Sequence, residues 1–245
     1  MIGQTVVFDG HRLNDRFYVG EVAVGLPEFV PSIEDHPAFD GARMVGKRLG
    51  TVGIDIALVT KPVQGEAPRE ALSDLMAWLD VDGPRRLALS EDRGLWRLCV
   101  PRGAPQVQDD RWNDRVVVSL TQLEPALYGL EREVTVPSGG SVTVRVGGDY
   151  PTKPTISSDA AVRDSTTLLW GLRLDGSALM YASVPVGTAS SVVMDCAERT
   201  CSVNGATTIP SLTSDWFELT PGTHTFENAQ GSGASVVRWY ERWHR

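Results

Sequence analysis

Apolar and polar residues alternate along most of the chain in short runs that glycine and proline separate. The clearest run places Val52, Ile54, Ile56 and Leu58 at every second position. Side chains of a strand point alternately to opposite faces, so this pattern predicts a strand with one buried face. Similar runs predict further strands in the first half of the chain, at 5–8, 17–19, 21–24, 86–89, 95–100 and 115–120.

A different period occurs near residue 70. Leu72, Leu75, Met76 and Leu79 follow the i, i+3, i+4, i+7 spacing of one helical face. This spacing predicts a helix over 69–79 that buries these four side chains. The first half of the chain is therefore predicted to be mostly β, with one covering helix.

Residues 27–46 fit neither pattern, because prolines and glycines interrupt them and acidic residues lie between. They are predicted to form a long loop, and long loops in compact domains usually carry function. Phe29, Val30, Ile33 and Phe39 lie in this segment, although a merely solvated loop needs no apolar side chains. We therefore expect the segment to contact a partner.

Beyond Glu124 the sequence predicts a succession of short strands, joined by turns rich in Gly, Ser, Thr and Asn. The predicted strands lie at 134–136, 141–146, 166–174, 178–184, 191–194, 201–203, 216–219, 223–226 and 234–239. Many short strands about 8–12 residues apart are typical of an all-β sandwich. We divide the chain into a β domain with one helix at 1–128 and a β-sandwich at 129–245.

Composition supports two folded domains and excludes several classes of function. The chain has 245 residues, of which 42% are hydrophobic, and 31 acidic residues outnumber 23 basic ones for a net charge of −8. That balance argues against a protein whose main task is binding phosphate backbones. Apolar runs stay well short of the roughly 18 residues of a membrane span, so membrane insertion is not expected.

Three cysteines are too few for a disulfide framework. Cys99 stands alone, whereas Cys196 and Cys201 flank four residues that read as a hairpin turn. Two interpretations of this pair stay open. The sulfurs face each other across the strands and form a disulfide, or both side chains are small buried hydrophobic groups.

Catalytic and metal-binding motifs are missing from the sequence. It contains no G-x-S-x-G, H-E-x-x-H or phosphate-binding glycine loop, and its four histidines lie far apart. Acidic neighbours such as Asp109 and Asp110 read as solvated loop charges. We predict no enzymatic activity, no catalytic residues, no cofactor and no metal, which leaves binding or assembly as the task of the chain.

Aromatic and cationic residues mark further candidate contacts. Trp112 lies in a charged stretch, where its indole either packs under its own loop or faces a partner. Arg238 and Trp243 belong to an aromatic and basic C-terminus, which is either the frayed end of a last strand or a tail that docks on a neighbouring subunit. The candidate interface residues are Phe29, Ile33, Phe39, Trp112, Arg238 and Trp243.

One ordered set of turns resembles a known family. A short hairpin ends in Asn-Gly, and an aromatic-x-Leu-x-Pro-Gly turn then leads into a final strand pair. This arrangement resembles the distal tail proteins, the Dit-like baseplate hub components of long non-contractile-tailed bacteriophages. The residues that carry the resemblance are Asn204, Gly205, Trp216, Phe217, Leu219, Pro221 and Gly222. The chain departs from the family pattern at His224, where Asn is usual.

The resemblance implies a mainly β fold, with a tail-tube-like N-terminal domain followed by a galectin-like sandwich. It further implies a six-fold ring at the tail tip that joins the tail tube protein to a tail-tip protein and, in some phages, to receptor-binding proteins. The chain is then a virion protein assembled in the host cytoplasm, and DNA crosses its channel without specific binding, which the acidic charge favours. The alternative is a carbohydrate-binding module, with Trp170 and Trp216 as candidate sugar platforms.

Overall fold

The computed structural model describes residues 4–35, 42–62, 68–108, 114–160, 168–184, 190–210, 214–230 and 233–244. They cluster into two compact units, one within Met1–Leu127 and one within Tyr128–His244, which we call the N-terminal and C-terminal units. Both consist mainly of β-strands, which confirms the predicted fold class. A tail-tube-like N-terminal domain over 1–128 and a galectin-like sandwich over 129–245 stay predictions.

The N-terminal unit contains strands, two 3-10 turns at Leu13–Asp15 and Ser90–Asp92, and helix α1 over Pro68–Leu79. Its strands are β1 (Val6–Phe8), β2 (His11–Arg12), β3 (Phe17–Val24), β4 (Phe29–Asp35), β5 (Ala42–Leu49), β6 (Val52–Thr60), β7 (Arg85–Leu89), β8 (Trp96–Pro101), β9 (Gln106–Gln108) and β10 (Arg115–Gln122). Seven of them form one antiparallel sheet in the order β2-β1-β7-β8-β10-β6-β3, and β9 also pairs with β10.

Strand β6 buries every second residue, as its alternation predicts: Val52, Ile54, Ile56 and Leu58 are at most 3% exposed. Ile54, Ile56 and Leu58 lie in the same core as Ala71 and Leu75, so this face of β6 is covered by packed side chains.

Helix α1 matches the predicted span, but one part of its predicted face is wrong. Leu75 is buried and packs in the core of the unit together with Ala71, whereas Met76 is 52% exposed. The predicted residues Leu72 and Leu79 are partly buried against the same core, as is Trp78, so Met76 is the one predicted residue that faces away from it. Met76 lies about 100° further round the helix than Leu75 and therefore faces outward.

The predicted loop over 27–46 is also wrong. Strands β4 and β5 form a separate two-stranded antiparallel ribbon, with residues 36–41 outside the described part. Proline is tolerated here because every strand of a two-stranded ribbon is an edge strand, so Pro31 can sit opposite Lys47 without breaking a central ladder.

The C-terminal unit is built from strands alone in its described residues. These strands are β11 (Leu127–Val136, which begins at the junction), β12 (Ser141–Val146), β13 (Thr155–Ala160), β14 (Leu168–Leu174), β15 (Ala178–Val184), β16 (Ser190–Asp195), β17 (Thr200–Val203), β18 (Ala206–Thr208), β19 (Gly222–Gln230) and β20 (Ser235–Trp243). One sheet runs β18-β17-β16-β13-β20-β11 and a second runs β12-β19-β14-β15. Side chains from both sheets share one core, so the unit is a β-sandwich.

Three details of the predicted strands differ. The strands β13 and β18 were not predicted; in β13 the inward residue Ser158 is polar although only 3% exposed, so the apolar alternation is broken. The predicted strand at 216–219 is wrong, since that segment makes only an isolated bridge between Leu219 and Thr152.

Candidate assembly surfaces

The β4–β5 ribbon has two chemically different faces. Residues directly opposite in an antiparallel pair point to the same side, so the register assigns each side chain to a face. One face carries three pairs, which we call the ribbon face: Phe29 with Leu49, Pro31 with Lys47 and, beyond a register shift between Ser32 and Ile33 that leaves Val45 unpaired, Ile33 with Met44. The opposite face carries Val30 with Arg48, Ser32 with Gly46, and Glu34 with Arg43.

The ribbon face is uncovered. Phe29 is 67% exposed, Ile33 60% and Met44 57%. The Lys47 ammonium group lies 5.7 Å from the centre of the Phe29 ring. An isolated two-stranded ribbon is only marginally stable in water, and a contiguous apolar face of this kind usually marks an interaction site.

A groove lies between the C-terminal half of α1 and the turn after β8. Its volume is about 460 Å³ and it is open at the surface. We call it the helix groove; it is lined by Met76, Ala77, Leu79, Asp80, Pro101, Gly103, Ala104 and Pro105. The outward orientation of Met76 supplies one apolar wall of this groove.

The predicted interface residues separate into three groups. Phe29 and Ile33 lie together on the ribbon face. Phe39 and Trp112 fall outside the described residues. Arg238 and Trp243 lie on β20 in the other unit, and the Arg238 Nε donates to Glu133 at 2.6 Å. The sequence reasoning missed Met44, because only the register of the ribbon places it beside Ile33.

The turn at Asn204 and Gly205 has the geometry that its sequence favours. The φ angles are 53° and 77°, and the flanking residues Val203 and Ala206 are paired, so two residues close a hairpin. Asn-Gly is preferred there because both positions need positive φ. The Asn204 side chain also accepts a hydrogen bond from the Ser191 amide at 2.9 Å, which fixes the hairpin against β16.

The segment before Pro221 closes the edge of the second sheet instead of extending it. Ser214 and Asp215 bond to the main chain of β15: the Ser214 Oγ accepts from the Tyr181 amide at 2.9 Å, and the Asp215 amide donates to the Leu179 carbonyl at 2.9 Å. Phe217 then enters the core, where it is 2% exposed. This covering protects an edge strand from unwanted pairing.

Another side chain of the motif, Leu219, is fully buried. Trp216 is partly buried and packs against the same core, and the side chain of Trp170 lies outside the described residues. Trp216 therefore presents no fully exposed aromatic platform for a sugar. The carbohydrate alternative stays an untested prediction, and a glycan array with the protein is the measurement that addresses it.

The His224 side chain makes two hydrogen bonds. Its Nδ1 lies 2.7 Å from an Asp175 carboxylate oxygen, and its Nε2 lies 2.7 Å from the Thr220 carbonyl oxygen. Both partners are acceptors, so a doubly protonated imidazolium satisfies both contacts. The other Asp175 oxygen accepts from the Thr225 amide at 2.7 Å. The histidine thus ties the Pro221-Gly222 turn to the β14–β15 turn.

The Asp175 carboxylate makes the stability of this turn sensitive to acid. Burial opposes ionisation, but the bonds from the Thr225 amide and the His224 ring outweigh it and hold the pKa of Asp175 below its ordinary value of 3.8. A lowered folded pKa contributes stability above the ordinary value, and this contribution is lost as the pH falls through the folded pKa. We therefore expect Asp175→Asn to lower the melting temperature at about pH 7 and to lower it progressively less as the pH falls below 3.8.

Thermal unfolding of both proteins across this pH range measures the difference. Asp15→Asn serves as the control, because the side chain of Asp15 is 70% exposed and its ion pair with Arg12 is long, at 3.9 Å. A gap between wild type and Asp175→Asn that stays constant with pH contradicts the prediction.

All three cysteines are free and buried, which excludes the disulfide interpretation of Cys196 and Cys201. Cys201 pairs with Met194 across the hairpin, so Cys196 lies beyond the paired residues. Burial raises the pKa of the Cys99 and Cys196 thiols to about 12. These thiols are therefore unreactive in the folded protein.

The described residues give no sign of a metal site, since no three His, Cys, Asp or Glu side chains among them come together. Within the same ranges, no helix has the length and apolar character to cross a membrane.

Comparison with known proteins gives one family and a set of similar folds. Residues 147–243 match the family model of the siphovirus-type tail component, C-terminal domain. The structure of the Dit protein of phage SPP1, described as a paradigm of hub adsorption apparatus in phages that infect Gram-positive bacteria, aligns with a TM-score of 0.70 at 19% identity. That alignment covers 98% of each chain.

A chain of the phage p2 baseplate in its activated conformation with Sr aligns with a TM-score of 0.55 at 6% identity, over 96% of this chain and 97% of that one. No curated protein sequence matches the chain. These findings confirm the resemblance to Dit-like distal tail proteins that the sequence predicted.

Proposed function

We propose that this chain, which has a Dit-like fold and a siphovirus-type tail-component domain at 147–243, is a structural component of a bacteriophage tail hub. In this role it forms a six-fold ring that connects the tail tube to the tail-tip apparatus for host adsorption. The observation that carries the proposal is the similarity to the SPP1 Dit protein along nearly the whole chain. The role is structural and needs no catalytic group.

The ribbon face supports the assembly part of the proposal. Phe29, Ile33 and Met44 are all more than half exposed in the single chain, although their face is apolar. Burial of such side chains contributes about 25 cal/mol for each Å² removed from water. A ring covers this face in every copy, because each subunit of a closed ring contacts two neighbours.

The proposed role assigns a task to the N-terminal domain and names the partners of the chain. The N-terminal domain forms the hub of the ring. The partners are further copies of the chain, the tail tube protein, a tail-tip protein and a receptor-binding protein. DNA passes through the ring without specific binding, and the net charge of −8 per chain favours passage over adhesion. The mature location is the tail tip of the virion, after assembly in the host cytoplasm.

Native mass spectrometry of the purified protein tests the ring. Six copies of 26.6 kDa give a species of about 160 kDa, and two stacked rings give twice that mass. The double variant Phe29→Asp, Ile33→Asp is expected to remain folded and to stay monomeric. The matched control is Ser32→Asp, Glu34→Gln, which changes the polar face of the same ribbon and is expected to leave the ring intact.

A wild-type protein that stays monomeric at every accessible concentration contradicts a ring held by this chain alone. A hexamer that persists in the Phe29→Asp, Ile33→Asp variant supports the ring and rejects the ribbon face as its interface.

A further inference from the structure

The N-terminal unit carries two apolar surfaces that nothing in the described chain covers, the ribbon face and the helix groove. We propose that the ribbon face of one copy packs into the helix groove of a second copy, and that this contact joins neighbours in the ring. The inference rests on the proposed function, because it names the surfaces through which the ring closes.

The geometry of a ring requires two different surfaces on each subunit. A head-to-tail contact repeats around an axis and closes, whereas a surface that binds its own copy stops at a dimer. The ribbon face projects apolar side chains, with Ile33 60% exposed. The helix groove is a concave site whose lining is more apolar than polar and whose wall includes Met76, itself 52% exposed. One surface protrudes and the other receives, which is the combination that a head-to-tail contact uses.

The charges of the two surfaces are complementary. Lys47 is the charged member of the three pairs that form the ribbon face. Asp80 is the charged member of the groove lining. Within the described ranges, neither side chain has an ion pair of its own in the single chain. Packing the ribbon face into the groove brings the Lys47 ammonium group of one copy toward the Asp80 carboxylate of the other, in a contact that is otherwise mostly apolar.

The same charges disfavour the symmetric alternative. If two ribbon faces packed against each other, the Lys47 side chains of both copies would enter one apolar interface without an anion among its three pairs. Like charges brought together in a poorly solvated contact oppose binding. The ribbon face is therefore better matched to the helix groove of a second copy than to a second ribbon face.

A charge exchange tests the pairing. Lys47→Glu and Asp80→Lys are each expected to reduce the ring population at least about tenfold, and the double variant Lys47→Glu, Asp80→Lys is expected to restore it. Both residues are at the surface, so a folding defect does not mimic this pattern of loss and rescue. Glu34→Lys, on the polar face of the ribbon, is the control and is expected to leave the ring population unchanged.

Cysteine cross-linking tests the same contact even if rings are short-lived. Ile33→Cys and Met76→Cys are prepared as separate proteins and mixed in equal amounts under mild oxidation. The three native thiols are buried, so the new thiols dominate the reaction. The mixture is expected to give disulfide-linked heterodimers in clear excess over the homodimers that either variant forms alone.

The outcomes separate this inference from the proposed function. A wild-type hexamer whose ring survives both charge reversals, and in which the heterodimer is no more abundant than the homodimers, overturns the ribbon-to-groove contact and leaves the ring in place. Heterodimers without any wild-type hexamer support the contact and contradict the six-fold ring.

Discussion

Replacing Asp92 with Ala is expected to lower the free energy of unfolding of the N-terminal unit by about 3 to 5 kcal/mol. Asp92 binds Arg97 through two parallel hydrogen bonds, at 2.6 Å from Nη2 and 2.9 Å from Nε. The Arg97 side chain is 1% exposed and that of Asp92 is 6% exposed. The substitution leaves the guanidinium buried without its carboxylate.

The network around Arg97 extends to the end of the sheet. Its Nη1 donates to the Gln122 side chain at 3.0 Å, and the Gln122 amide donates in turn to the Ala126 carbonyl at 3.2 Å. Loss of the carboxylate therefore also loosens the segment between β10 and Ala126. Urea denaturation at neutral pH measures the change. Because the proposed ring surfaces belong to the same unit, the variant is expected to assemble poorly as well.

The matched control is Asp15→Ala, which removes the carboxylate of an exposed ion pair. The Arg12 and Asp15 side chains are 58% and 70% exposed, and their atoms are 3.9 Å apart. Exposed pairs of this kind contribute at most about 1 kcal/mol. If both variants lose the same small amount, the buried pair is not a strong contributor to stability and the prediction is wrong.

The spacing of apolar residues within short stretches of sequence predicted the strand β6 and the helix α1. The alternation in β6 predicted its buried residues, because one face of the strand packs in the core and the other does not. The helical period predicted α1 but misplaced Met76. The buried side of that helix is selected by the core it meets, and Ala71 fits there at close approach although its small side chain gave little signal.

The pairing of β4 with β5 is a feature that short stretches of sequence did not predict. Phe29 and Ile33 were predicted as contact residues because apolar side chains in a polar segment are unusual. The strands themselves were missed, since their pairing joins residues on either side of 36–41 and no short window contains it. Arg97 was missed for a related reason: it occupies an inward position of β8, and only its distant partner Gln122 and the turn at Asp92 explain why a cation can be buried there.

The second large effect is expected at Gly148, in the C-terminal unit. Its φ is +94°, and a Cβ placed there would lie 2.1 Å from the Arg242 carbonyl oxygen. That oxygen also accepts the amides of Asp149 at 3.0 Å and Tyr150 at 3.1 Å. Gly148→Ala therefore forces the chain away from the end of β20 and breaks both hydrogen bonds.

The consequence reaches Arg242 itself. This residue is 8% exposed, its Nη1 donates to the Pro151 carbonyl at 3.2 Å, and its guanidinium lies 5.0 Å from the ring centre of Tyr128 and 4.9 Å from that of Tyr150. Displacing the 148–150 segment separates several of these partners. Backbone strain of about 1 to 2 kcal/mol adds to the lost and unsatisfied buried hydrogen bonds, so a total loss of about 3 to 5 kcal/mol is expected.

Gly139→Ala isolates the contribution of the clash. Gly139 also has positive φ, at +64°, but a Cβ there meets nothing within 4 Å. It should lose only the strain of about 1 to 2 kcal/mol, so the difference between the two variants in urea denaturation measures the cost of pushing the chain off Arg242. Equal losses contradict this account. The match to the tail-component domain begins at residue 147. If Gly148→Ala loses much more stability than Gly139→Ala, the first residues of that domain are also the place where hydrogen bonds join its N-terminal end to its last strand, β20.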